Sequence, residues 1–504
     1  MESGPVQGTT CLVMIETLAR DSQRIPPSKS AALPPHEAAA WTDYFERAVR
    51  TTARFPAGGR FLRQDVAATL GRMIPRDARV LEAGFGTGET LASLPNAVRA
   101  GIDRTPVAVE RARATHPQLD LFEGDALTFV SDERWDAIVC DRLVHSVLDI
   151  QCLLENLAHH LAPGGRMFVT CFNYLWQLPV VLGEKLGFKV PSPEANWLSE
   201  SDLDNLFAIT DLEVVKYEDR MLMPLPLPGV AGVLNRYLGK LPGVRHLSLY
   251  RLYVLRRREP AVARRPKVSV VVPARNEAGN VPTILARTPM MGAGTELIFV
   301  EGGSTDDTRG AIAEALRTYR GPLAISSHTQ TGKGKGDAVR LGFAKATGDL
   351  LMILDADLTV PPEDLPKFYD VMVKGKADYA QGTRLVYPMQ AEAMRFLNKL
   401  GNIGFSKLFT FLLNQPIKDT LCGTKVLWAR DYARLAANRA FFGDFDPFGD
   451  FDLIFGAAKL NLRIVEVPIR YRDRTYGSTN ISRFRHGWLL LQMSAVAATR
   501  LKFV

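Results

Sequence analysis

A chain of 504 residues with 46% hydrophobic and 23% charged residues is a globular protein of two or three domains at roughly 150 residues each, which excludes disordered and fibrous classes. Lys+Arg 62 against Asp+Glu 54 gives a net charge of +8, suited to anionic small molecules or an acidic membrane surface; with no basic run beside stacking aromatics, nucleic acid is excluded as a partner. The scattered cysteines Cys11, Cys140, Cys152, Cys171 and Cys422 lack CxxC spacing and read as reduced thiols of a cytoplasmic protein.

Residues 1–40 are rich in Ser, Pro and Ala without periodicity and predict a disordered tail. The apolar stretch 11–15 is too short for a secretory segment. From Trp41, helical segments alternate with the runs ARVLEAGFG, NAVRAGID, DLFEGDA, WDAIVCD and RMFVTCF, which predicts a parallel α/β sheet. The pattern fades after Phe172 and closes with the strand-like LEVVKYEDR and LSLYRLYVLR, giving a first domain at 41–256. The basic, proline-containing stretch 257–266 reads as a linker. A second alternation (VSVVVPARNE, TELIFVEGGS, LAISS, DLLMILDADL) opens a different α/β domain at 267–504. No apolar run approaches the length of a membrane span, and the C-terminal GWLLLQMSAVAATRLKFV reads as an amphipathic helix.

The loop Glu82-Ala-Gly84-Phe-Gly86-Thr-Gly88 sits between a strand and a helix, where glycines let backbone N–H groups approach a ligand. A dinucleotide fingerprint fails, because its third glycine would fall at Glu89 and a pyrophosphate would meet Glu82 and Glu89. S-adenosylmethionine, with an ammonium and a sulfonium, is instead favoured by an acidic Glu82. Asp103 ends the next strand, where a carboxylate can accept from a ribose diol; Asp125, followed by Ala126, can accept from an adenine amino group. A glycine turn with strand-end caps is the plainer alternative. No acceptor base is evident. His145, after the fourth strand, could deprotonate a hydroxyl or simply pack on the sheet. The loop, Asp103, Asp125 and the APGG turn at 162–165 resemble class I S-adenosylmethionine-dependent methyltransferases over about 78–170. The resemblance implies a Rossmann-like sheet, the cofactor's methionyl end at Gly84 to Gly88, its ribose on Asp103, and an in-line methyl transfer that depends on alignment.

Asp355-Ala-Asp357 ends the apolar strand LLMIL, and in an extended chain both carboxylates would face one ligand. Two hard oxygen donors beside a nucleotide diphosphate suit Mg²⁺ or Mn²⁺; a solvated turn is the alternative. VSVVVPARNE delivers Pro273, Asn276 and Glu277 to a loop, FVEGGSTDDT delivers Glu301, Asp306 and Asp307, and a glycine turn carries Lys333 and Lys335. That turn is no P-loop, because Gly336 and Asp337 follow Lys335. These elements, with QGTR (381–384), DTLCGTK (419–425), GDFDLIFGAAKLNLRIVEVPIRY and DRTYGSTN (473–480), resemble inverting family 2 glycosyltransferases of GT-A fold, of the polyprenyl-phosphate (dolichyl-phosphate mannosyltransferase) type.

That resemblance implies a metal held by Asp357 with Asp355 beside it. It also implies a nucleotide-sugar donor on Pro273, Asn276, Glu277, Glu301, Lys333, Lys335 and Asp355, and a polyprenyl-phosphate or other lipid acceptor. A lipid phosphate needs cations, for which Arg384, Arg474 and Arg483 are candidates with Asn480 beside them; a hydroxyl acceptor needs a base, best supplied by Asp452. The chain departs from the family at Glu301-Gly302, usually two aspartates, and at Thr479-Asn480, commonly Ser-Lys. The stretch 394–413, with Arg395, Lys399 and Lys407 among apolar residues, predicts a helix on a membrane surface or on its own domain; 221–234 is a weaker candidate. The whole reads as a bifunctional transferase of the cytoplasm or the cytoplasmic membrane face. The rival is a glycosyltransferase with a soluble acceptor and a non-catalytic S-adenosylmethionine-binding half.

Overall fold

The computed structural model describes residues 35–51, 56–186, 192–193, 195–387, 396–441, 450–472, 474, 476 and 483–504. The first sheet comprises Val80–Ala83 (β1), Arg99–Asp103 (β2), Asp120–Glu123 (β3), Trp135–Asp141 (β4), Leu161–Phe172 (β5), Leu212–Arg220 (β6) and Tyr250–Arg257 (β7), in the order β3-β2-β1-β4-β5-β7-β6. β7 runs antiparallel to β5 and β6, and the other pairs are parallel. The second comprises Val268–Ala274 (β8), Thr295–Glu301 (β9), Ala324–Thr329 (β10), Leu350–Ile353 (β11), Tyr379–Thr383 (β12), Lys425–Trp428 (β13) and Ile464–Pro468 (β14), ordered β10-β9-β8-β11-β13-β12-β14. Here β13 is antiparallel to β11 and β12. The central strands are apolar at nearly every position because helices cover both faces: β1 and β8 are buried almost throughout.

In both sheets the strand order reverses beside the first strand. Connections leave β1 and β8 in opposite directions from those of their neighbours β4 and β11, and a crevice opens at the carboxyl ends of the strands. The sequence motifs gather at those two crevices. The domains are pinned together by Arg166 of β5 and Arg256 of β7, which reach the same buried Asp378 at 2.6 and 2.9 Å. Segment 258–267 crosses between them, with Val262 N–H donating to Val373 O at 2.8 Å.

Several expectations shift. A helix, Pro35–Thr51, starts inside the stretch expected to be a disordered tail; residues 1–34, with Cys11, lie outside the described residues. Cys140, Cys152, Cys171 and Cys422 are free and buried. β11 ends at Ile353, so Asp355 and Asp357 sit on a turn beyond it, closed by Leu358 N–H to Asp355 O at 3.2 Å. Strand alternation therefore does not set the direction of the two carboxylates. Helix Phe396–Leu413 packs on its own domain through the buried Phe409, Leu412 and Leu413, leaving Lys407 exposed; Arg395 and the Lys399 side chain lie outside the description. Helix Arg483–Ala497 likewise buries Leu490, Met493 and Ala497. Among the described residues no helix is long and apolar enough to cross a membrane.

Candidate active sites

The first crevice is a cavity of about 670 Å³ lined by Glu82, Gly84, Gly86, Asp103, Asp125 and Ala126, among others. Gly84 has φ 72°, and a Cβ there would come within 2.8 Å of Leu143 Cδ1, so the loop can follow this path only with glycine. Gly88, at φ 73°, faces away from the cavity, toward Ala112 and His116. Asp103 accepts the Gly86 N–H and the Thr105 N–H, both at 2.8 Å, so it braces the glycine loop while each oxygen keeps a second lone pair. Asp125 accepts the Leu127 N–H at 2.9 Å through Oδ1.

Glu82 is 2% exposed, and its Oε2 is buried without a hydrogen-bond partner. Burial first, then the neighbouring Asp141, pushes its carboxyl well above the ordinary range. Asp141 behaves oppositely: burial works against ionisation, but Arg142 at 2.7 Å and the Thr170 hydroxyl at 2.5 Å hold its carboxyl low.

His145 lines the same cavity but cannot serve as the acceptor base. Its Nδ1 meets Asn196 O at 2.6 Å and its Nε2 accepts the Phe172 N–H at 2.8 Å. Those partners fix the Nδ1–H tautomer and leave no lone pair for a substrate proton. The helix Pro35–Thr51 brings Trp41, Tyr44 and Phe45 to the cavity wall, which the sequence reading missed. Their i, i+3, i+4 spacing is the signal that marks such a face.

The second crevice is stitched from three strand ends. Pro273 and Ala274 close β8. Asn276, at φ 59°, then receives the Thr305 N–H on its Oδ1 at 2.8 Å and donates its own N–H to Ser304 Oγ at 3.1 Å. Glu301, at the end of β9, accepts the Ser304 N–H at 2.6 Å and pairs with Arg309 at 3.2 Å; burial opposes, yet these partners keep its carboxyl below the usual range.

Beyond β11, Asp355 pairs with Lys335 at 2.6 Å. Burial again opposes, but Lys335, then Lys425 and Arg384, hold the Asp355 carboxyl low. Asp357 pairs with Arg474 at 2.6 Å and accepts the Thr359 N–H and hydroxyl at 3.1 and 2.8 Å. Arg474 also reaches Glu277 at 3.4 Å, and burial raises the Glu277 carboxyl to about 7 against the pull of Asn280 and Arg474. Lys335 with Asp355, and Arg474 with Asp357 and Glu277, thus set two cations among three carboxyl groups in the crevice. Gly423 lets the segment between helix Phe396–Leu413 and β13 pass beside it, because a Cβ there would collide with the Asp355 carboxylate and the Lys335 ammonium. Gly423 lies within DTLCGTK, where nothing in the local spacing marks the glycine.

Other expected site residues sit elsewhere or apart. Lys333 is exposed on the turn before helix Lys335–Lys345. Arg384 is not an open cation for an acceptor: it is 8% exposed and forms a closed pair with Asp419 at 2.6 and 2.8 Å, over the Tyr471 ring. Asp452 meets Arg439 at 3.0 Å, and no described contact joins it to the Asp355–Asp357 turn. Asn480 and the side chain of Arg483 lie outside the described residues.

Comparison with known proteins divides the chain the same way. Residues 53–217 match the model described as a methyltransferase domain, and residues 269–433 match glycosyl transferase family 2. The undecaprenyl-phosphate 4-deoxy-4-formamido-L-arabinose transferase of Klebsiella pneumoniae (strain 342) is 34% identical over 226 residues, which is 44% of this chain and 64% of that protein. The dolichol-phosphate mannosyltransferase of Pyrococcus furiosus is 35% identical over 161 residues, 31% of this chain and 45% of that protein. The chain therefore spans less than two thirds of the length of either relative. A solved glucosyl-3-phosphoglycerate synthase from Mycobacterium tuberculosis aligns with 47% of this chain and 80% of its own at 20% identity, with a TM-score of 0.35.

Proposed function

We propose that this chain, which joins a methyltransferase domain to a family 2 glycosyl transferase domain, is a bifunctional transferase. Its second domain would move a sugar from a nucleotide sugar to a polyprenyl phosphate or a related lipid or glycan acceptor, with Mg²⁺ or Mn²⁺. Its first would methylate a small molecule of the same pathway from S-adenosylmethionine. The observation that carries the reading is the paired carboxylates of the Asp355–Asp357 turn, each held by its own cation, Lys335 or Arg474, at the point where the strand order reverses. The lipid-phosphate acceptors named for the two relatives support the acceptor class.

The residues present fit a divalent ion shared with a diphosphate. Among the described residues no group of three or more His, Cys, Asp or Glu could hold one alone, so Asp355 and Asp357 would need the diphosphate's oxygens to complete the shell. When bound, the ion neutralises charge on the departing diphosphate. Lys335 and Arg474, now paired with the two carboxylates, would turn toward phosphate oxygens when a ligand enters. Thr359 keeps the Asp357 carboxylate in place meanwhile. A lipid phosphate is already an anion and needs no base, in keeping with an Asp452 that is paired to Arg439.

The first cavity fits S-adenosylmethionine through its size, the unpartnered Glu82 Oε2 and the spare lone pairs of Asp103 and Asp125. That cofactor supplies an electrophilic methyl group. Glu82 would receive its cationic end, Asp103 its ribose diol and Asp125 its adenine. The locked His145 favours an acceptor that is already nucleophilic, and it is also the observation that favours the rival reading, a binding half without transfer beside a glycosyltransferase with a soluble acceptor. The test incubates the whole chain with Mn²⁺, a panel of nucleotide sugars and polyprenyl phosphate, then adds S-adenosylmethionine, and reads products by mass. A glycosylated polyprenyl phosphate supports the proposal. Transfer only to soluble sugars, with no S-adenosylhomocysteine released, selects the rival.

A further inference from the structure

Away from both crevices, the two domains meet around a cavity of about 320 Å³. One wall carries Arg72, Lys216 and Glu218 of the first domain, and the other Lys459 and Arg500 of the second. Val504, the last residue, also lines the cavity with its main-chain carboxylate, and four cations face one side-chain carboxylate. That carboxylate is already engaged: Glu218 lies 3.7 Å from Arg220 and accepts from the Asn414 amide at 3.3 Å.

Among the described residues the hydrogen bonds of these cations go to neutral groups, while Glu218 pulls on Arg72 and Lys216. Lys459 donates to Arg72 O at 2.5 Å, Lys216 to Ala458 O at 3.3 Å, Arg72 to the Thr69 hydroxyl at 3.2 Å, and Arg500 to Phe441 O. Two more lysines stand behind them, both 6% exposed. Lys240 donates to the main-chain oxygen of Lys502 and to the terminal carboxylate of Val504, and Lys502 donates to the Asn414 side chain at 2.5 Å.

Cations that outnumber the carboxylates in a partly buried cleft are unfavourable, because each loses hydration and repels the others. The strain is visible in their acidity. Burial first, then Lys216, Arg72 and Arg76, brings the Lys459 ammonium down to about 8, and burial with Arg220 brings Lys240 to about 7. An anion with several acceptor oxygens would relieve all of them at once. Phosphate oxygens match both the point charge of lysine and the fork of arginine, and the volume admits a phosphate ester with a small organic group.

We propose that this interdomain cavity binds a small phosphate-bearing anion, held by Arg72 and Lys216 of one domain and by Lys459 and Arg500 of the other, so that its occupancy fastens the two domains. It shares no residue with the nucleotide crevice, and it stands whether or not the reading of that crevice does.

The test is the thermal transition of the whole chain titrated with inorganic phosphate, against chloride at equal ionic strength. The expected result is a saturable rise of roughly 2–5 °C with phosphate alone. The double variant Lys216→Met with Lys459→Met should lose that rise, while its own transition stays level or climbs, because uncompensated charge has been removed. Arg474→Gln should keep the rise, which places the phosphate away from the nucleotide crevice. Equal shifts with chloride, a retained rise in the double variant, or a rise abolished by Arg474→Gln would overturn the proposal.

Should the double variant not fold, the wild-type chain decides. Acylation of Lys216 and Lys459, read by peptide mass, should slow at least about threefold with phosphate while that of Lys333 does not, since protonation stabilised by an anion removes the nucleophilic amine. Unchanged rates count against the site. Parallel arms with glycerol phosphate and with phosphatidylcholine vesicles carrying phosphatidic acid separate a soluble ester from a lipid headgroup as the source.

Discussion

The two crevices share a position and differ in how they treat charge. Both open where a parallel sheet reverses its strand order, beside β1 in one domain and β8 in the other. In the first, a buried Glu82 is left with an unpartnered oxygen, and its carboxyl stays raised because burial and Asp141 outweigh the pull of Arg142. In the second, each carboxylate of the Asp355–Asp357 turn has its own cation, Lys335 or Arg474. One crevice is poised for a ligand that brings positive charge. The other is poised for a ligand that brings negative charge and exchanges partners with the groups already there. The winding of the sheet sets where a ligand goes, and the residues at the strand ends set what it is.

That contrast can be broken from either side. The largest effect is expected from Asp357→Asn, which removes the proposed metal donor and the Arg474 partner together: glycosyl transfer should fall by about 10²–10³-fold while S-adenosylmethionine binding by calorimetry is unchanged. Loss of both would mean the crevices are not independent. Gly423→Ala should come next, because the added methyl group displaces Asp355 and Lys335; a KM for the nucleotide sugar raised by roughly tenfold or more, with a normal circular-dichroism spectrum, is the expected outcome.

Glu82→Gln sharpens the comparison. Glutamine mimics the protonated acid, so the unliganded protein should melt at nearly the same temperature. Affinity for S-adenosylmethionine should drop roughly tenfold, for want of a carboxylate that can ionise when the cation arrives.

The smallest effect concerns the seam between the domains. Lys240, Lys459 and Lys502 titrate at about 7, 8 and 8 in the folded chain, below an ordinary lysine, with burial the main cause. Between pH 7 and pH 9 these three lysines hold more protons in the unfolded chain than in the folded one, so their contribution to stability rises with pH. Urea midpoints at those two pH values check the sign; a lower midpoint at the alkaline end would contradict it.

Much of the architecture was legible in the chain. Apolar runs such as VSVVV and LLMIL marked buried central strands, and the glycine loop with Asp103 marked the first crevice because a strand-end carboxylate and a Cβ-free turn are local features. The directions of the site residues were not legible. Whether Asp355 and Asp357 share a face depends on where β11 stops, and it stops two residues early. Arg384 reads as a free cation until Asp419 arrives from another segment, and His145 reads as a base until Asn196 and Phe172 claim its nitrogens. The cation cluster between the domains is assembled from Arg72, Lys216, Lys459 and Arg500, which are far apart in sequence. Periodicity reports a residue's own element; it carries no record of the partner that tertiary packing will bring.

The account turns on the Asp355–Asp357 turn, and binding of Mn²⁺ to the whole chain, followed by electron paramagnetic resonance with and without a nucleoside diphosphate, tests it most directly. Tight Mn²⁺ binding that requires the nucleotide and disappears in the Asp355→Asn, Asp357→Asn double variant is the predicted result. Binding that persists in that variant, or that ignores the nucleotide, would contradict it.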